Sequence, residues 1–301
     1  MMKVLLIDTD SMIPNLALMK ISAYHKALGD EVGRHVSDPE IVYASVIFKR
    51  DKHLIDGLRF FYPNAEIHIG GPGYDLKVKL PEEIERVRPD YDLYPMDYSM
   101  GYTSRGCPNK CYFCVIPKSE GAYQRWQHPE EWINPDFNKA RILDPNWYSD
   151  PDWFFETSQW FIDNNIKLDV TQGLDIRQIT PEIAVQLKKI RFWEPMHFAW
   201  DNEKDQEKVL VGIQILKDAG MASNLRHSTF FYVYCDNPRQ HESALRRCRI
   251  LKENGAGSFV MYNIDLPKTQ EIINLQRWAN KPWLYWSMDY AEYDRGWRAK
   301  A

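Results

Sequence analysis

Residues Cys107-Pro108-Asn109-Lys110-Cys111-Tyr112-Phe113-Cys114 place three thiols within eight positions, and the fold is read outward from them. Closely spaced thiolates favour soft metals and iron–sulfur clusters, because sulfur matches their bonding preference. Three ligands leave one iron of a four-iron cube without a protein ligand, where a small molecule can bind the metal directly. A structural zinc site more often shows two Cys pairs, or a Cys pair with a His pair. Here a fourth ligand would have to come from His128 or beyond. A disulfide would leave an odd thiol in the loop. The spacing favours a cluster.

Just before the loop, residues 99–103 have strand character. Further strands are expected at 140–143, 168–172, 196–200, 229–234 and 258–262, with starts 28–41 residues apart, room for one helix in each gap. The spacing predicts helices over 153–164, 181–190, 205–219 and 238–254. Pro181 and Pro238 stand where a first-turn proline is tolerated. Six successive βα units imply a parallel barrel or part of one, with chemistry at the carboxyl ends of its strands. The cysteine loop follows the first strand, as that rule requires.

Upstream, 3–8 (KVLLID) reads as a strand, 16–28 as a helix stopped by Gly29, and 41–48 as a second strand. A helix is expected over 52–61, then a third strand at 66–69 leading into Gly70-Gly71-Pro72-Gly73. This order predicts a doubly wound, Rossmann-like parallel sheet. Residues 81–95 are charged and proline-punctuated, and read as a connector.

Composition sets the bounds. With 301 residues the chain is long enough for two domains, and 44% hydrophobic residues, including 11 Trp, suffice for a large core. A formal charge of −4 argues against a broad nucleic-acid-binding surface, while leaving room for a substrate in a locally basic cleft. No apolar run approaches the ~20 residues of a membrane span, and the first ten residues lack the pattern of a signal peptide. Five cysteines, three in one metal-like loop, point to a reducing, cytoplasmic setting.

The spacing Cys-x3-Cys-x2-Cys, preceded by Ser104-Arg105-Gly106 and with Phe113 before the third cysteine, resembles the cluster loop of the radical SAM superfamily. Residues 99 to 262 are similar to that family's six-unit partial barrel. Residues 1 to about 90 resemble the cobalamin-binding-like domain that precedes the barrel in some members. The resemblance thus implies an α/β chain of three parts: a Rossmann-type domain over 1–90, a partial (β/α)6 radical SAM barrel over 97–265, and a C-terminal extension over 266–301. It implies an enzyme that cleaves S-adenosylmethionine reductively at a 4Fe–4S cluster, and an electron donor such as a flavodoxin or ferredoxin.

In that resemblance Cys107, Cys111 and Cys114 are the cluster ligands, and Phe113 meets the adenine of S-adenosylmethionine. The family's Gly-Gly-Glu-type element after the second barrel strand corresponds here to Leu143-Asp144-Pro145-Asn146. The glycines are absent, and Asp144 and Asn146 are left to accept from the methionine amino group. The third strand delivers Gln172, Asp175 and Arg177. Gln and Asp suit ribose hydroxyls, and an Arg fork suits a carboxylate. Against these roles stands the commoner use of such residues in solvated turns and structural ion pairs.

Other residues carry weaker signals. Asp201 ends the fourth strand, and Cys235 ends the fifth, where it would be a hydrogen-atom donor or, as most buried cysteines are, a small hydrophobe. Cys248 reads as packing, and Arg246, Arg247 and Arg249 as a solvated helix face. The segment Asp51-Lys52-His53-Leu54-Ile55-Asp56-Gly57 imitates the Asp-x-His-x-x-Gly element placed below cobalamin, but its glycine is displaced and it follows the second strand. Cobalamin held without a protein histidine is therefore allowed but not favoured. Rival readings are a cobalamin-dependent radical methyltransferase, a methylthiolation enzyme lacking the usual extra cysteines, and a zinc-stabilised binding module.

Overall fold

The computed structural model describes residues 1–264 and 266–293. Contacts group the chain into two units, Met1–Gly106 with Val115–Arg141, and Cys107–Cys114 with the chain from Ile142 onward. The architecture is mixed α/β with parallel sheets.

In the first unit, β1 (Lys3–Asp8), β2 (Glu31–Gly33), β3 (Ile41–Ser45) and β4 (Glu66–Gly70) form one sheet in the order β2-β1-β3-β4, every pair parallel. Val4, Leu6 and Ile41 pack with Leu18, Ile21 and Ile84. Ala44 and Val46 pack with Ile55, Leu58 and Ile7 in a second cluster. Burial on both faces accounts for the near-continuous apolar runs in β1 and β3. The helix Leu16–Ala27 starts where Asn15 accepts the Leu18 N–H at 3.2 Å.

Several local expectations are corrected. The strand expected over 41–48 ends at Ser45, because the Ile47 and Phe48 N–H groups donate to the Asp10 carboxylate at 2.8 and 2.7 Å. The helix expected over 52–61 splits at Gly57 into a 3-10 segment, Lys49–Ile55, and a single turn, Leu58–Phe61. The connector 81–95 contains the short helix Glu82–Glu85 and buries Ile84 and Tyr91. Strand β2 carries one apolar residue in three, too little for period-two patterning to reveal.

The neck of the cysteine loop also lies in this unit. There β5 (Ser99–Gly101) is followed by β6 (Ser104–Arg105), which pairs antiparallel with β7 (Gln124–Arg125). Arg105 donates two bonds to Glu120, at 3.0 and 3.1 Å, and the Gly106 N–H donates to the same carboxylate at 3.1 Å. Gly106 has φ 71°, and a Cβ there would collide with the Ala122 carbonyl, so only glycine fits comfortably. Beside β5 lies β8 (Lys139–Ile142).

In the second unit β9 (Lys167–Val170), β10 (Met196–Ala199), β11 (Thr229–Cys235) and β12 (Gly257–Tyr262) follow one another. The last three form a parallel sheet. Leu174, just past β9, bridges Phe198 of β10 in parallel. Between strands run the helices Pro151–Asp163, Pro181–Lys189, Gln206–Asp218 and His241–Glu253, close to the expected spans. Asp150 and Thr180 cap the first two, each with proline at the first turn.

The arginine run is corrected here. Arg247 is 2% exposed and donates to the carbonyls of Trp200, Tyr234 and Ser243. It lies on the buried stripe of its helix with Ala244, Cys248 and Leu251, at i−3, i+1 and i+4. Arg246 and Arg249 pair with Glu203 and Asp289. After β12 the helices Gln270–Ala279 and Pro282–Ser287 bury Trp278 and Tyr285. Residues 294–301 of the expected extension lie outside the described residues.

Candidate functional site

The loop Cys107–Cys114 contains no helix or strand, and its tightest turn is closed by the Cys114 N–H donating to the Cys111 carbonyl at 3.1 Å. All three thiols are free and partly accessible. Two contacts seat the loop on strand ends of its own unit. Phe113 stacks on Tyr234 of β11, with centroids 4.2 Å apart and an interplanar angle of 27°. Asn109 Nδ2 donates to Asp175 Oδ2 at 2.9 Å.

Asp175 is the hub. Arg177 grips it with Nε at 2.7 Å and Nη2 at 2.8 Å, while Arg177 Nη1 reaches Asp205 at 3.1 Å. Gln178 adds a bond at 3.2 Å. Burial alone would raise the Asp175 carboxyl, but the Arg177 fork outweighs it and holds the group below its usual value. The Arg177 fork is thus engaged by two carboxylates, and its position in the site is that of Asp175's partner.

At the first cysteine, Asn146 Nδ2 approaches Cys107 Sγ at 4.0 Å. Asn146 is 2% exposed, and its Oδ1 is a buried acceptor with no partner. The buried Tyr148 hydroxyl is likewise unpartnered, and burial pushes it well above its normal value. Asp144, also buried, sits just past β8. Asp201 follows β10, where burial pushes its carboxyl up to about 6 against the pull of Arg247. Burial also raises the Cys107 and Cys111 thiols, so metal binding must displace protons.

Among the described residues no three His, Cys, Asp or Glu side chains stand positioned around one metal ion. A cluster instead binds each thiolate at a different iron. Three thiols spread along an open loop, with a buried amide at the first and an orphaned acceptor beside it, fit a cluster carrying a small polar ligand.

Of the residues singled out in the sequence, Cys107, Phe113, Asn146, Asp175 and Arg177 are held around this loop by the contacts just described. Gln172 is exposed, with no side-chain contact that ties it to them. Cys235 is fully buried, its thiol donating to the Asn237 carbonyl at 3.4 Å, and burial pushes it up to about 11. Cys248 is buried in its helix and pushed up to about 12. Asn109, Tyr148, Tyr234 and Glu120 were not anticipated. Asn109 alone carried a signal, as the one amide side chain inside the cysteine motif.

Searched against models of protein families, the chain matches none. Among curated proteins, ribosomal protein uS12 methylthiotransferase RimO of Shewanella putrefaciens is 26% identical over 108 residues, 36% of this chain and 22% of the relative. The protein of the same name from Shewanella amazonensis is 25% identical over 109 residues, with the same coverage of each chain. The matched stretch therefore spans less than a quarter of either relative.

Proposed function

We propose that this protein is a radical SAM enzyme. The observation that carries the reading is the Cys-x3-Cys-x2-Cys loop seated against the ends of parallel strands, with Asn146 at Cys107 and Phe113 on Tyr234. The distant similarity to two methylthiotransferases supports it. In this reading Cys107, Cys111 and Cys114 hold a 4Fe–4S cluster. When bound and reduced, it supplies the electron that cleaves S-adenosylmethionine and starts radical chemistry on a substrate.

The chain's own residues orient the cofactor. Phe113 faces the adenine with its ring braced by Tyr234. Asn146 Oδ1 and Asp144 accept from the methionine amino group, and Gln172 serves the ribose. Asp175 and Arg177 act as a pair that fixes the loop through Asn109, because the Arg fork is already engaged. Holding a reactant in one orientation supplies several kcal/mol of barrier lowering. The strands from 99 to 262 are then the family's partial barrel, residues 1–90 its Rossmann-type companion, and the compartment cytoplasmic. No helix among the described residues is long and apolar enough to cross a membrane. Methylthio transfer is not carried over, since the two remaining cysteines, Cys235 and Cys248, are both fully buried.

Anaerobic reconstitution tests the reading. Wild-type protein is expected to turn brown with about four irons per chain, and Cys111→Ala to lose them. Dithionite-reduced protein is expected to release 5′-deoxyadenosine from S-adenosylmethionine. Full iron content in Cys111→Ala, or no 5′-deoxyadenosine from fully loaded wild type, would refute it. A colourless protein with one zinc would favour a binding module.

A further inference from the structure

Away from the cysteine loop, the first unit carries a cleft of about 620 Å³ lined by Pro72 and Tyr74 together with Lys49, Lys52, Lys77 and Lys118. The four lysines are exposed, and none enters an ion pair among the described residues. Lys52 Nζ lies 4.8 Å from the Tyr74 ring centroid. Asp75, the acid on the lining, accepts the Lys77 backbone N–H at 2.9 Å. The floor has a fixed shape. The Gly73 N–H donates to the Val46 carbonyl at 2.9 Å, and a side chain at Gly71 or Gly73 would collide with the backbone of residues 46–48. Lys118 follows Cys114 by four residues, a tether of at most about 14 Å.

We propose that this cleft docks an acidic one-electron carrier protein of the flavodoxin or ferredoxin kind, an inference that rests on the radical SAM reading above. One electron passes from the carrier, which is oxidised, to the cluster held by the three cysteines, which is reduced. No bond, proton or leaving group moves in this step. Charge complementarity selects the partner: four unpaired cations on one cleft of a chain whose formal charge is −4. All four are lysines, compact and strongly hydrated point charges that suit a brief, wet encounter with a carboxylate surface. Electron-transfer encounters are correspondingly small and weak. Nucleic acid draws on broader positive fields and on planar arginine forks, and the cleft lining contains no arginine.

The test compares whole reconstituted wild type with Lys52→Glu/Lys118→Glu and the milder Lys52→Gln/Lys118→Gln, all checked for equal melting temperature. Binding of an FMN flavodoxin is measured by anisotropy, with a short single-stranded RNA as the competing polyanion. The charge-reversed variant is expected to bind flavodoxin at least about tenfold more weakly and with a shallower salt dependence, the Gln variant falling between. Cleavage of S-adenosylmethionine driven by flavodoxin should fall in step, while cleavage driven by dithionite stays unchanged. Equal flavodoxin affinity in all three proteins, no binding to wild type at low salt, or a loss confined to RNA would overturn the docking proposal. Loss of dithionite-driven cleavage in loaded wild type would instead overturn the radical SAM reading, and the affinity comparison would still decide the surface.

Discussion

Asn146 has a buried side-chain carbonyl oxygen with no donor. Such a group costs about 1–3 kcal/mol, so Asn146→Leu is expected to keep or raise the melting temperature of metal-free protein. After reconstitution the same variant should bind S-adenosylmethionine more weakly by calorimetry, and equal affinity would remove Asn146 from the site. Asp201 makes a prediction in pH. It titrates near 3.9 in the unfolded chain and at about 6 in the folded one. The native state therefore holds the extra proton between those values, and this group's contribution to stability falls as pH rises from about 4 to 6, staying lower above. Relative to wild type, metal-free Asp201→Asn should gain across that window, reaching about 1–3 kcal/mol at pH 7 in urea titrations. A difference that does not vary with pH would show that Asp201 is solvated. The cysteines were legible because their spacing is local. The partnerships of Asn109 with Asp175 and of Asn146 with Cys107 join residues 66 and 39 positions apart, and only the folded chain creates them. Arg247 was misread because a run of cations suggests solvent, although its helical phase already placed it with Ala244 and Leu251.

Elements with strong periodicity were read nearly to their ends. The expected 229–234 strand is Thr229–Cys235, and the expected 181–190 helix is Pro181–Lys189. Short elements escaped, namely β2, the β6–β7 ribbon and the 3-10 turn at Lys49–Ile55, because two to seven residues cannot display a period. Edge strand β12 has a guard that sequence patterning does not reveal. Val260 donates to Asn280 Oδ1 at 2.6 Å, and its carbonyl accepts from Asn280 and Gln276, both at 3.1 Å. Side chains thus occupy a position that would otherwise recruit another strand. Asn280→Ala is expected to cost about 1–3 kcal/mol and to raise light scattering on heating, whereas an unchanged melting curve would mean that water replaces the amide. At the loop neck, Gly106→Ala should lower iron uptake without a change in thiol count, because the left-handed backbone there cannot accept a side chain without strain. Normal iron uptake in that variant would show that the neck can rearrange.

Across the whole molecule, the backbone passes between the two units at 106–107, 114–115 and 141–142. Residues upstream of 97 hold those beyond the loop: Arg86 donates to the Trp126 carbonyl at 2.8 Å, Gln127 to the Arg86 carbonyl at 2.9 Å, and Tyr91 to the Trp132 carbonyl at 2.6 Å. A fragment starting at residue 97 loses all three bonds, and Arg105 loses Glu85. It is expected to melt lower than the full chain and to take up less iron, and full loading of the fragment would show that the upstream sheet is dispensable. The parallel sheets were foreseeable from alternating elements, but a unit assembled from two separated stretches was not, since hydrophobic patterning carries no record of which strands share a core. The same discontinuity sets a timetable for synthesis. Tyr234, the ring on which Phe113 rests, leaves the ribosome about 120 residues after it, and at about 5–20 residues per second that is about 6–24 s. For that interval the nascent chain presents three bare thiols without the strand end that seats them. In the radical SAM reading, loading with iron therefore belongs to the finished chain, after the platform for the loop exists.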